Sequence, residues 1–207
     1  MHANRTRHRL LAAALLLSAA AAQAQTAAAQ SPMVVRARHV CIACHGEGGR
    51  SDNAVVPSIA GQTRDYLAAQ LKDFRGQVRV EAGSRGYMWG ISALLDDDTI
   101  AGLADYYAAQ KPAAGRDGDA SLVQTGRQLF VNGAPERGVL PCASCHGEAA
   151  QGNKEVPRLA GQQADYIVAQ LKEFGTALRP HAIAMRAEVK GLSEQEMRSL
   201  ATYVQSR

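Results

Sequence analysis

Large rings are scarce in this chain of 207 residues: Trp, Tyr and Phe together make up 5% of it. Small domains so poor in aromatics have thin cores unless something apolar besides side chains fills them. Apolar runs are short too. The most prominent, Leu10 to Ala22, falls below the roughly 20 residues needed to span a bilayer, which argues against a permanent anchor. No segment alternates apolar and polar residues convincingly, so a sheet-based architecture is not indicated. An apolar content of 46% excludes disorder and collagen.

A surplus of positive charge is also missing once the amino terminus is set aside. Arg5, Arg7, His8 and Arg9 form a positive region, Leu10 to Leu17 an apolar one, and Ala22-Gln23-Ala24 a small-x-small cleavage site, the layout of a secretory signal peptide over residues 1–24. Its removal takes three arginines and no acid from a chain of formal charge +4, leaving +1. A basic footprint for nucleic acid is therefore absent. Export is the expected fate, and a leader kept uncut would hold the protein at a membrane surface.

A repeat is what the sequence does contain. Cys41-Ile-Ala-Cys44-His45-Gly46 returns as Cys142-Ala-Ser-Cys145-His146-Gly147, and the stretch 57–74 matches 157–174 at 11 of 18 positions. Two copies of one small domain follow, 25–110 and 120–207, with the linker-like composition of 111–119 between them. Both copies read as helical. Leu67, Leu71 and Phe74, like Ile167, Leu171 and Phe174, fall at i, i+4 and i+7. Ile100, Leu103, Ala104 and Tyr107 form a second stripe, repeated as Met197, Leu200, Ala201 and Val204, with Asp96 and Ser193 placed as N-caps and Glu196 completing a capping box. The fold class expected is all-α.

All four cysteines lie in the two Cys-x-x-Cys-His motifs. Two thiols one helical turn apart can add to the two vinyl groups of a haem while the adjacent histidine turns onto the iron, giving Cys41, Cys44 and His45 for one haem and Cys142, Cys145 and His146 for another. A redox Cys-x-x-Cys on a thioredoxin-like fold would need strands, and a structural zinc site would need the thiols of both halves to converge with further ligands. Haem attachment accounts for both motifs and both histidines.

The duplicated motif, the Pro-x-[Ile/Leu]-Ala-Gly-Gln block, the Tyr-x-x-x-Gln-Leu-Lys-x-Phe helix and Tyr106-Tyr-Ala-Ala-Gln-Lys-Pro112 resemble the cytochrome c4 family, periplasmic dihaem members of the class I c-type cytochromes, over residues 34–207. The resemblance implies two class I domains facing each other across a pseudo-twofold axis, with His/Met-ligated haems close enough to exchange electrons. It also implies that each sixth ligand comes from a loop before the last helix, where Met88 and Met185 stand, each seven residues before the leucine that precedes an N-cap. Met197 falls on the apolar stripe, and Met33 has no counterpart and is expected in a mobile N-terminal segment. His181 is the rival ligand for the second haem; His39 reads as a surface histidine. By the same resemblance Pro57 and Pro157 supply carbonyls that orient the ligand histidines, and Arg79 and Arg179 pair with haem propionates, the alternative being solvated surface charges.

Three further expectations concern packing. Gly126 and Phe130 supply the glycine and aromatic of a class I first helix, whereas Ser31 to Val40 has neither, so the first helix is expected to be short or poorly packed. Tyr66, Tyr166, Tyr106 and Tyr203 read as packing aromatics, and Tyr87 and Trp89 stand where they could shield or tune the first haem. The function expected is electron carriage without catalysis, by a monomer, between a respiratory donor complex and a terminal acceptor such as an oxidase. The electron-transfer subunit of a periplasmic dehydrogenase is the alternative, ahead of a dihaem peroxidase, which would need an open iron.

Overall fold

The computed structural model describes residues 31–207. The expected leader, residues 1–24, lies outside them. Among the described residues no strand forms, and β-type pairing is confined to two isolated bridges, Ala134 with Val139 and Asn153 with Val156. No helix there is long and apolar enough to cross a membrane.

The first half consists of α1 (Pro32–His45), a 3-10 turn (Glu47–Gly49), α2 (Arg64–Arg75), a π-type turn (Ser84–Met88) running into α3 (Trp89–Ser92), and α4 (Asp97–Ala108). The second repeats the plan with α5 (Ala120–Asn132), a 3-10 turn (Pro135–Arg137), α6 (Ala143–His146), α7 (Ala164–Phe174), α8 (Ile183–Val189) and α9 (Glu194–Gln205). Local chemistry starts the long helices. Ser31 Oγ accepts from the Val34 N–H with Pro32 at the first position, Asp96 accepts from Thr99 N–H, and Asp119 from Ser121 and Leu122 N–H. Ser193 and Glu196 make the reciprocal capping box.

Both closing helices bury the stripes their sequences predict: Ile100, Leu103, Ala104 and Tyr107 on α4, and Met197, Leu200, Ala201 and Val204 on α9. In the second half α5 crosses α9 at Gly126. A Cβ there would lie 2.0 Å from the Ser199 carbonyl oxygen, so only glycine permits this approach, and Phe130 packs against Tyr203 with ring centroids 5.3 Å apart.

The first half has no such crossing. Contrary to the expectation of a short element, α1 spans 14 residues and runs without interruption into the cysteine motif, because no glycine or internal proline stops it before Gly46. The expected poor packing is present: Val34 is its one fully buried residue. Its counterpart α5 stops at Gly133, and a loop separates it from the motif. Met33 stands in the first turn of α1, half exposed, rather than in a segment without structure.

Residues 111–119 form no helix or strand, yet they are fastened down. Arg116 N–H donates to the Gln205 carbonyl at 3.0 Å, and its guanidinium bonds the side chains of Gln163 and Gln205.

The halves meet through reciprocal contacts. Gln62 Nε2 donates to the Arg158 carbonyl and its Oε1 accepts from the Arg158 N–H, while Gln162 does the same to Ser58. Residue i of one half contacts j of the other and j's equivalent contacts i's, the signature of a twofold relation. Arg79 and Arg179 complete it. Each guanidinium donates to the side-chain oxygens of both Gln70 and Gln170, at 2.8 and 3.1 Å from Arg79 and 2.7 and 2.7 Å from Arg179. Each also lies 4.4 Å from the ring of the phenylalanine in the last turn of the preceding helix, Phe74 or Phe174.

Candidate functional site

The two cysteine motifs end alike. Each histidine is followed by a glycine at positive φ, Gly46 at 75° and Gly147 at 81°, which ends the helix and turns the chain away from the imidazole. The chain then returns to the histidine through its proline: His45 Nδ1 lies 2.8 Å from the Pro57 carbonyl oxygen, and His146 Nδ1 2.9 Å from that of Pro157. With Nδ1 donating to a carbonyl, Nε2 is the nitrogen left to bind a metal. Burial holds both imidazoles below the ordinary histidine range, the proline hydrogen bond working against it. The neutral ring, the form that ligates iron, therefore prevails.

The cysteines are unpaired. Cys41 and Cys142 are half-buried, Cys44 and Cys145 exposed, and burial pushes the Cys41 thiol up and the Cys142 thiol up to about 11. Met88 closes the π-type turn and Met185 lies in the first turn of α8, both half-buried. The residues expected in a loop thus stand on short helical turns. Trp89 Nε1 donates to the Arg79 carbonyl at 2.7 Å, tying the turn that carries Met88 to the domain interface, whereas Tyr87 is 72% exposed.

Other candidates fall elsewhere. Met197 belongs to the core of the second half. His39 is exposed on α1, and His181 is largely exposed with Nδ1 2.9 Å from Asp73 Oδ1 in the opposite half. Arg79 and Arg179 are both 5% exposed, which overturns the solvated-charge alternative. Arg79 pairs with the equally buried Glu81, while Arg179 has an unpartnered Nε.

The donor sets fit haem c. Each half offers two free thiols one turn apart, a neutral imidazole with Nε2 open, and a thioether on the segment before its last helix. A buried, unpartnered guanidinium N–H of Arg179 suits a propionate carboxylate. Among the described residues no group of three or more His, Cys, Asp or Glu converges as a metal cage, so the four thiols do not assemble a zinc site.

Sequence reasoning missed the interface. Gln62, Gln70 and their counterparts were visible only as motif letters. The available signal was that polar residues repeat unchanged where surface positions drift.

Fold and site together define a two-domain class I c-type cytochrome. A family profile described as Cytochrome c matches residues 123–207. Cytochrome c4 of Thiocapsa roseopersicina is 36% identical over 82% of this chain and 88% of its own, and cytochrome c-552 of Acidithiobacillus ferridurans 35% identical over 95% and 86%. The solved cytochrome c4 structure from Acidithiobacillus ferrooxidans superposes with a TM-score of 0.76 at 34% identity, covering 81% of this chain and 98% of that one. A protein named thiosulfate dehydrogenase electron acceptor, from Stutzerimonas stutzeri, is 35% identical over 92% of this chain and 90% of its own. The chain belongs to the cytochrome c4 family: it is a haem-binding electron carrier, not an enzyme, and it works by exchanging electrons with redox partner proteins.

Proposed function

We propose that this is a dihaem carrier exported to the periplasm, taking electrons from a respiratory donor complex and delivering them to a terminal acceptor such as an oxidase. The observation that carries the reading is duplication of the whole donor set, cysteine pair, proline-bonded histidine and methionine, in two halves locked by reciprocal glutamines. Haem supplies a one-electron iron couple when bound.

The residues of the chain do the rest. Cys41 and Cys44, with Cys142 and Cys145, staple the groups by thioether bonds. His45 and His146 present Nε2, oriented by the Pro57 and Pro157 carbonyls, which strengthen them as donors. Met88 and Met185 supply soft sulfur, which favours ferrous iron and raises the potential. Arg79 and Arg179 would offer their charges to propionate carboxylates when haem is bound, Arg179 through its unpartnered Nε–H, and the glutamine contacts fix the distance between halves so that little reorganises on transfer. Pyridine haemochrome analysis should return two haems per chain. Met88→Ala and Met185→Ala should each remove about half of the methionine-to-iron absorption; unchanged spectra in both would overturn the ligand assignment.

A second reading has a specific observation in its favour. Similarity to a thiosulfate dehydrogenase electron acceptor over nine-tenths of the chain supports a thiosulfate dehydrogenase as the donor. Rapid reduction of the oxidised protein by that enzyme with thiosulfate, and slow reduction by a respiratory quinol-oxidising complex, would favour it.

A further inference from the structure

The twofold relation between the halves fails at one buried charge. Position 81 is Glu and its repeat partner, at an offset of 100, is His181. Glu81 is 5% exposed, and its Oε1 accepts from Nε of Arg79 at 2.8 Å and from Nη2 as well. His181 points away, largely exposed, toward Asp73. The backbone departs from symmetry at the same place. Val80 N–H donates to the Leu178 carbonyl at 2.9 Å, and the reverse bond cannot form because Pro180 has no N–H.

The cations do not share this asymmetry. Arg79 and Arg179 each bond both Gln70 and Gln170, so their two charges sit between the halves and act on both. The single carboxylate belongs to one half. It opens the segment leading to Met88: the Glu81 carbonyl accepts from Arg85 N–H at 3.0 Å, and Trp89 fastens the far end of that segment to the Arg79 carbonyl. Burial opposes its ionisation, but the Arg79 guanidinium outweighs burial and holds its carboxyl below the usual range. Water screens so enclosed a charge poorly.

We infer that Glu81 is the residue that makes the two electron sites unequal, lowering the potential of the Met88 half so that the Met185 half accepts the first electron. A buried negative charge opposes the electron added when ferric iron becomes ferrous, and only the first half contains one here. The inference rests on the dihaem reading above. Within it, Glu81 acts through the field and touches neither iron, so it is a tuning residue.

Two measurements test it. In a stepwise reduction of the wild-type protein followed by proton NMR, the iron-bound methyl resonance of Met185 should appear before that of Met88; the reverse order overturns the inference. In a potentiometric titration, Glu81→Gln, which keeps a hydrogen-bond acceptor for Arg79, should shift the lower midpoint potential upward and narrow the gap. Unchanged midpoints in a variant that keeps two haems and its methionine-to-iron absorption also overturn it. If the variant fails to mature, the wild-type order still overturns the inference where Met88 is reduced first. Fewer than two haems in the wild type would instead remove the dihaem reading itself.

Discussion

Gln62 holds the backbone of Arg158 with both ends of its amide, donating from Nε2 to the carbonyl at 2.9 Å and accepting at Oε1 from the N–H at 2.6 Å. Gln162 repeats the grip on Ser58, at 2.8 and 2.9 Å. Two small domains with thin cores are thereby joined through backbone groups, which cannot move without moving the loops that carry Pro57 and Pro157.

Replacing both glutamines by alanine takes the side-chain partner from six backbone groups, the N–H and carbonyl of Ser58 and of Arg158 and the N–H of Thr63 and Gln163, each costing about 1–3 kcal/mol where water cannot reach it. The wild-type holoprotein should unfold in a single calorimetric transition, and the Gln62→Ala, Gln162→Ala double variant in two. One unchanged transition would show that the interface draws its strength from elsewhere.

Gly126→Ala forces a methyl group against the Ser199 carbonyl where α5 and α9 cross. Overpacking of this kind costs about 1–3 kcal/mol. The single thermal transition should shift down as a whole, and the absorption due to Met88 should be unaffected below it.

The Arg137 side chain, ahead of the Ser193 contacts, holds the Glu196 carboxyl at about 2 against an ordinary value of 4.5. Because the folded value lies below the unfolded one, the stabilisation is complete above about pH 4.5 and is lost as the pH falls toward 2. Glu196→Gln keeps the capping-box acceptor but loses the charge facing Arg137, so it should cost about 0.2–1 kcal/mol near neutrality and progressively less in acid. Melting curves of both proteins across that range check the convergence.

Trp89→Phe removes the hydrogen bond to the Arg79 carbonyl, worth about 0.5–1.5 kcal/mol. The turn carrying Met88 should loosen. Exogenous imidazole should displace the methionine of the first half more readily than in the wild type, with no change at Met185.

How far the sequence could be read differs sharply between elements. The stripe from Ile100 to Tyr107 and its counterpart on α9 were legible because a helix burying one face must repeat its apolar residues every three or four positions. The length of α1 was not, because its composition is weakly patterned and the absence of a stop signal is easily overlooked. Arg79 and Arg179 read as surface charges or propionate partners, since nothing local marks a cation as buried when its partners, Gln70, Gln170 and Glu81, come from other segments or the other half.

Chemistry within a few residues was settled by the sequence alone: thiols one turn apart, a histidine beside them, a glycine to turn the chain, and two copies of the whole arrangement. Short-range covalent geometry admits few alternatives there. Contacts across the domain boundary were decided only by the tertiary structure, through the reciprocal glutamines, the buried arginine pair and the unmatched carboxylate of Glu81. Repetition makes two halves similar in sequence, but whether their polar residues meet, and which charge lacks a mirror image, depends on how the two surfaces dock.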